Sequence, residues 1–270
     1  MSVAVARHAG ALVVLLATLG CAPQRPAAPA AALEALRRPL PGGLSALVAG
    51  VPDGPRVILV HGTPGSASGW SELLLDPPPG LELVALDRPG FGRSGPEAAV
   101  TRLADQAEAV ARLLPNDGRG AVLVGHSLGG AIAARVAAEH PGEVLALVLV
   151  AASLDPALEK VHPLQPLGAW PPLRALLPRA IRNANAELLA LQPELVELGA
   201  LLPRITAPVR ILHGTADALV PVANVDYLRR RLTGARCIDT LLLPGANHFL
   251  PWNASERVRA TIEAAVRSAC

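Results

Sequence analysis

The chain has 270 residues, 51% of them apolar, enough for one large α/β domain with a sizeable core and too few for two generous ones. Its 24 basic and 22 acidic side chains are interspersed and leave a net charge of +2. No basic run marks it as a nucleic-acid-binding protein.

Residues 1–21 stand apart from the rest. Arg7 and His8 precede an apolar stretch, 9–19, about half of the roughly 20 residues that a membrane-spanning helix needs and the length of a signal-peptide apolar region. The ending "ATLGC" resembles a bacterial lipoprotein signal, in which the cysteine is lipidated and becomes the mature N-terminus. Thr18 stands where such signals usually carry leucine. The resemblance implies a lipid on Cys21 and export to the bacterial cell envelope, with the domain anchored to a membrane and facing the periplasm. An ordinary secretory signal with an incidental cysteine is the other reading. Residues 22–43, rich in Pro and Ala, read as a tether. With Cys21 so assigned, Cys237 and Cys270 remain. In an oxidising compartment they invite a disulfide that would hold the C-terminal helix to the sheet and contribute about 3–4 kcal/mol. Two unpaired thiols are the alternative.

From residue 44 onward, short apolar runs alternate with helix-period segments. The runs are 56–60, 81–86, 121–125, 144–150, 209–213 and 237–243, with a further strand expected near 44–50 at a sheet edge. Helical stretches fall at 97–114, 128–140, 221–232 and 254–268. Near-continuous apolar strands, each followed by a helix, predict a parallel sheet covered on both faces. Residues 155–204 break this rhythm with many prolines and no strand-like run. A cap of short, interrupted helices, inserted between core segments 44–154 and 205–270, is the expectation.

Gly125-His126-Ser127-Leu128-Gly129 follows one of these strands and begins a helix, the strand–turn–helix setting of a nucleophile elbow. A serine on so sharp a turn leaves no room for side chains two residues either side. Serine needs a base within hydrogen-bond reach. Among seven histidines, His248 lies just beyond the last strand, at the strand ends where catalytic groups collect on open parallel sheets. His61 and His213 read as structural rings at strand–loop junctions, and His126 lies within the elbow itself. Asp217, in the loop after the penultimate strand, is the favoured acid, and Asp155 is the alternative. The loop "HGTPGSASGW" (61–70) is small enough for close backbone approach. Its Thr63 N–H and the Leu128 N–H are the expected oxyanion donors.

Together "HGTPGSASGW", "DRPGFGRSG", "GHSLGG", "LHGTADALVP" and "GANHFLP" resemble the α/β-hydrolase superfamily, from about residue 44 to the end. The resemblance implies an eight-stranded, mostly parallel sheet with helices on both faces, to which this chain adds its own small helical cap. It also implies a Ser127–Asp217–His248 triad needing no cofactor and no metal. Serine at the elbow separates the chain from the aspartate-bearing dehalogenases and epoxide hydrolases of that superfamily, and "DRPG" from the "DQRG" usual in proline iminopeptidases. Trp70, Phe91, Trp170 and Phe249 fall in loops around the site and suggest an apolar pocket. Arg174, Arg179 and Arg182 of the cap read as solvated surface. The resulting expectation is a serine hydrolase of small to medium apolar carboxylic esters, working through an acyl-enzyme. Acyl transfer, amide or peptide hydrolysis, and a non-catalytic tethered binding module are the alternatives.

Overall fold

The run at Arg56–Val60 shows why the strands carry unbroken apolar sequence. Val57 and Leu59 enter one hydrophobic core while Ile58 and Val60 enter another, because successive side chains leave opposite faces of the sheet. Residues 121–124 divide in the same way.

A computed structural model describes residues 30–161 and 163–267. Eight strands form one sheet: β1 (Arg37–Leu40), β2 (Leu44–Gly50), β3 (Arg56–Val60), β4 (Glu82–Asp87), β5 (Ala121–His126), β6 (Val144–Val150), β7 (Val209–Gly214) and β8 (Ile238–Leu243). Their order across the sheet is β1-β2-β4-β3-β5-β6-β7-β8. β2 pairs antiparallel with β1 and β4, and every other pairing is parallel. The helices are α1 (Ala30–Ala35), α2 (Ser71–Leu75), α3 (Leu103–Ala111), α4 (Leu128–Glu139), α5 (Pro171–Leu176), α6 (Arg179–Leu201), α7 (Ala223–Arg231), α8 (Leu250–Asn253) and α9 (Ser255–Arg267). One core lies beneath α3, α4, α6 and α7, and the other beneath α2 and α9. The parallel strands therefore share one carboxyl-end edge, where ligands bind on sheets of this kind.

Three expectations need correction. The tether read at 22–43 extends too far, since residues 30–40 form α1 and β1. Pairing explains this: β1 adds to β2, and Arg37 donates to Asp87 Oδ2 at 2.8 Å. Consequently β2 is an inner strand, and β1 forms the edge. The cap contains short elements, a 3-10 turn at Gln165–Ala169 and α5, but α6 then runs for 23 residues with Pro193 inside it. Leu191, Leu195 and Leu198, at helical spacing, bury into the core shared with α4, and that burial outweighs the hydrogen bond that Pro193 lacks. Among the described residues no helix is long and apolar enough to cross a membrane. Residues 1–29, His162 and Cys270 lie outside the described residues, and with them the signal, Cys21 and the expected disulfide partner. Cys237 itself is disulfide-bonded.

Candidate active site

Ser127 sits between β5 and α4 with φ 55° and ψ −127°, in a left-handed region that a residue with a side chain enters only under constraint. The constraint is visible in its neighbours. A Cβ on Gly125 would lie 2.3 Å from the Gly129 oxygen, and one on Gly129 would lie 2.3 Å from the Val60 oxygen. Helix α4 is thereby pressed against β3 and β5. On the other side, a Cβ on Gly62 would stand 2.8 Å from Ser127 Cβ, so the 61–63 loop passes directly beside the serine. Leu128 begins α4, and its N–H belongs to the first turn, which has no intrahelical acceptor. The Thr63 hydroxyl is buried with no partner among the described residues.

Asp217 and His248 meet across the ends of β7 and β8. The His248 Nδ1–H donates to Asp217 Oδ2 at 2.8 Å, while Asp217 Oδ1 accepts the Leu219 and Val220 N–H groups at 2.9 and 2.8 Å. Burial disfavours the Asp217 carboxylate, but the His248 ring and these two N–H groups outweigh it and hold its pKa below the usual value. His126, one residue before Ser127, brings the two halves together: its Nε2–H donates to the His248 carbonyl at 3.0 Å. Burial, with the neighbouring His248 ring adding to it, lowers the His126 pKa to about 3. A ring so held is a neutral prop. His213 is likewise structural, donating from Nε2 to the Val220 carbonyl at 3.0 Å, and burial lowers its pKa. Asp155 caps its own loop by accepting the Ala157 N–H.

The 87–95 segment fastens the serine's surroundings. Asp87 accepts the Ala67 and Arg93 N–H groups at 2.7 and 2.9 Å, and Gly92 turns at φ +53° where a Cβ would stand 2.2 Å from the Asp87 carboxyl. Sequence reasoning missed the role of Arg88. Fully buried, it donates from Nε to the His61 carbonyl at 3.0 Å and from Nη2 to the Gly62 carbonyl at 3.1 Å. Its Nη1 and Nη2 also grip Glu187 of α6 at 2.7 and 3.1 Å. Gln106 donates to the same carboxylate at 3.0 Å. His61 completes the arrangement, its Nδ1–H bonded to the Gly62 carbonyl and its Nε2 accepting the Arg88 N–H. Burial and the Arg88 charge push the His61 pKa well below its ordinary value. A signal existed: Glu187 falls in register with buried Ala184, Leu191, Leu195 and Leu198, a carboxylate on an apolar stripe, which calls for a buried partner.

The aromatic residues divide differently from expectation. Trp70 and Phe91 are buried packing, against His126 and against His61 and Arg88 respectively. Phe249 is half-buried with its ring 5.8 Å from that of His248. Trp170 is 60% exposed on the cap. The cap arginines are also not uniformly solvated. Arg179 donates to the carbonyls of Gly92, Ser94 and Pro96, and Arg182 Nε is buried. Among the described residues, no group of three or more His, Cys, Asp or Glu is placed to hold a metal ion.

Residues 55–180 match the family model described as alpha/beta hydrolase fold. The chain is 30% identical over 225 residues to the pimeloyl-[acyl-carrier protein] methyl ester esterase of Aromatoleum aromaticum, covering 67% of this chain and 87% of that one. It belongs to the alpha/beta hydrolase fold family. It is also 43% identical over 96 residues to the dihydrolipoyllysine-residue acetyltransferase component of the acetoin cleaving system of Cupriavidus necator, covering 35% of this chain but spanning only 25% of that relative's length. The crystal structure of the Paleococcus ferrophilus monoacylglycerol lipase superposes with a TM-score of 0.66 at 22% identity, covering 83% of this chain and 98% of that one.

Proposed function

We propose that the chain is a serine hydrolase of carboxylic esters with small to medium apolar groups. Ser127 attacks the ester carbonyl as His248 takes its proton. Asp217 holds the His248 ring in the tautomer that leaves Nε2 free to accept, and stabilises the imidazolium that forms. The Thr63 and Leu128 N–H groups receive the oxyanion, a donor of that kind contributing about 2.7–4 kcal/mol to transition-state stabilisation. The alcohol leaves with the proton from His248, and water releases the acid from the acyl-enzyme by the same steps reversed. The observation that carries this reading is the 2.8 Å Asp217–His248 pair, with His126 joining it to the strained serine turn. The esterase relative, of which the chain covers 87%, supports the ester class.

The test is a fluorophosphonate probe on the full chain, followed by a panel of esters varied in acyl and alcohol size. Labelling of the native chain but not of Ser127→Ala is expected, with turnover of short apolar esters. Equal labelling of both would overturn the reading. The partial match to an acetyltransferase component makes interception of the acyl-enzyme by an alcohol the second reading, and product analysis with water and alcohol both present separates the two.

A further inference from the structure

Five of the thirteen large apolar side chains exposed on the described surface lie between Val161 and Leu176, with Trp170 60% and Leu176 81% exposed. Local geometry gathers the cap residues: Leu167 and Trp170 stand three apart around a 3-10 turn, joined by the Trp170 N–H to the Leu167 carbonyl at 3.1 Å, so they stack on one side. Pro171, Pro172 and Leu176 of α5 continue the exposed apolar surface. A concentration of exposed apolar side chains of this kind marks a contact site.

Charge narrows what it contacts. From Lys160 to Ala186 there are four cations and no carboxylate. Arg179 is engaged with the 92–97 loop, which leaves Lys160, Arg174 and Arg182 for an outside partner. Beneath the turn lies a cavity of about 300 Å³ lined by Gly168, Ala169, Arg174, Arg182 and Asn185, among others. Arg174 and Arg182 both line it, which sets two guanidinium side chains on the wall of one cavity. Gly168 and Ala169 connect Leu167 to Trp170, so the cavity and the apolar patch share one wall.

We propose that this face of the cap docks on a lipid bilayer bearing anionic headgroups, Trp170, Leu167 and Leu176 entering the interface and a lipid phosphate seating against Arg174 and Arg182. An indole at headgroup depth beside cations over apolar side chains is the chemistry of interfacial anchoring. The expected export signal and lipidated Cys21 would hold the chain at such a surface. The docking would present the strand-end site to esters dissolved in the membrane, and in that respect it rests on the proposed function.

The test uses the full chain carrying Cys21→Ser and Ser127→Ala, so that neither an attached lipid nor turnover enters the readout. Vesicles are phosphatidylcholine alone or with about 30% phosphatidylglycerol, the anionic component adding about 1 kcal/mol per basic residue near the surface, or about fivefold in affinity. Binding to the anionic vesicles should fall about tenfold in Trp170→Ser/Leu176→Ser, and fall likewise in Arg174→Glu/Arg182→Glu, with unchanged melting temperatures. Brominated lipid should quench the native fluorescence, and the quenching should vanish in Trp170→Phe, a readout the N-terminal segment does not influence. Undiminished binding by the Trp170→Ser/Leu176→Ser variant, or no quenching of Trp170, overturns the proposal. So does a dimer in sedimentation velocity that the same variant abolishes, which would make the patch an interface between copies. Failure of the esterase reading leaves these measurements intact, since the protein used has no Ser127.

Discussion

Glu187→Gln is the most informative perturbation of the buried joint between cap and core. The side chain keeps its shape and loses its charge, leaving Arg88, which is 0% exposed, without a counter-ion. Removing one partner of a buried pair costs about 3–5 kcal/mol. At about 2–4 °C per kcal/mol for a domain of this size, melting should drop by some 6–20 °C. Arg88→Met/Glu187→Met removes both charges and should recover much of that loss. It cannot recover all of it, because the His61 carbonyl loses its Arg88 donor and an orphaned buried acceptor costs about 1–3 kcal/mol, while the Gly62 carbonyl keeps the His61 Nδ1–H. The two measurements should therefore part company. Melting rises from the single to the double variant, while kcat/KM on a short aryl ester stays depressed because the 61–63 loop has lost its clamp. Thermal unfolding and initial rates on the double variant, Arg88→Met and Glu187→Met complete a double-mutant cycle, with Glu187→Gln measured beside it. A Glu187→Gln protein melting within about 2 °C of native would refute the stability argument, and native rates in the double variant would refute the clamp.

Asp217→Asn should lower kcat by about 10⁴-fold through loss of the tautomer and the imidazolium partner, with the fold retained; a loss under tenfold would remove Asp217 from the triad. Gly125→Ala should slow fluorophosphonate labelling by about a hundredfold or more, since its Cβ would lie 2.3 Å from the Gly129 oxygen and 2.5 Å from Gly130 Cα. Stability should decline in acid. His61, His126 and His213 fold neutral with lowered pKa values, so the unfolded chain takes up protons that the folded chain refuses. Their contribution is fully present above about pH 6.5 and falls by about 1.4 kcal/mol per pH unit for each ring as pH drops toward the folded value. For His126 that window runs from about 6.5 to about 3. His126→Asn should flatten the dependence of unfolding free energy between about pH 6 and 4 by one such increment, and an unchanged slope in urea titrations would show that the folded ring protonates as readily as the unfolded one.

What the sequence made legible is what short-range backbone geometry enforces. The elbow glycines and the continuous apolar strands are local facts, each with a steric or periodic cause that reads along a few residues. The order serine, aspartate, histidine, by contrast, was legible through the resemblance that five separate motifs carry. What it concealed was pairing across distance. Arg88 and Glu187 are 99 positions apart, and neither alone announces a partner; only the helical register of Glu187 hints that one exists. The first strand was hidden for a related reason. "RRPL" contains two arginines and a proline and has no strand-like alternation, and it is a strand because β2 offers an open edge and Asp87 draws in Arg37. The loop positions of Trp70 and Phe91 suggest the pocket, but both rings are buried, because a loop position does not say which way a ring points.

The two sides of the cap obey opposite rules, and the contrast bears on how it works. Its inner side is tied down at several points: Glu187 to Arg88, Asn183 to the Gly90 carbonyl at 2.8 Å, Arg179 to the 92–96 loop, and Glu194 to the Leu103 N–H at 2.7 Å. A cap held by a buried ion pair and these further bonds does not swing as a rigid lid without breaking that pair, at a cost of several kcal/mol. Opening by rotation of α6 is therefore expensive. The turn and α5, residues 165–176, carry none of these inward ties to the core loops, and Leu167, Trp170 and Leu176 are exposed. If substrate reaches Ser127 through the cap, it is this short segment that yields, and α6 stays in place as the fixed wall. The same division explains why the strongly bound residues follow the apolar stripe of α6, while the cationic and apolar ones that face outward precede it in the chain.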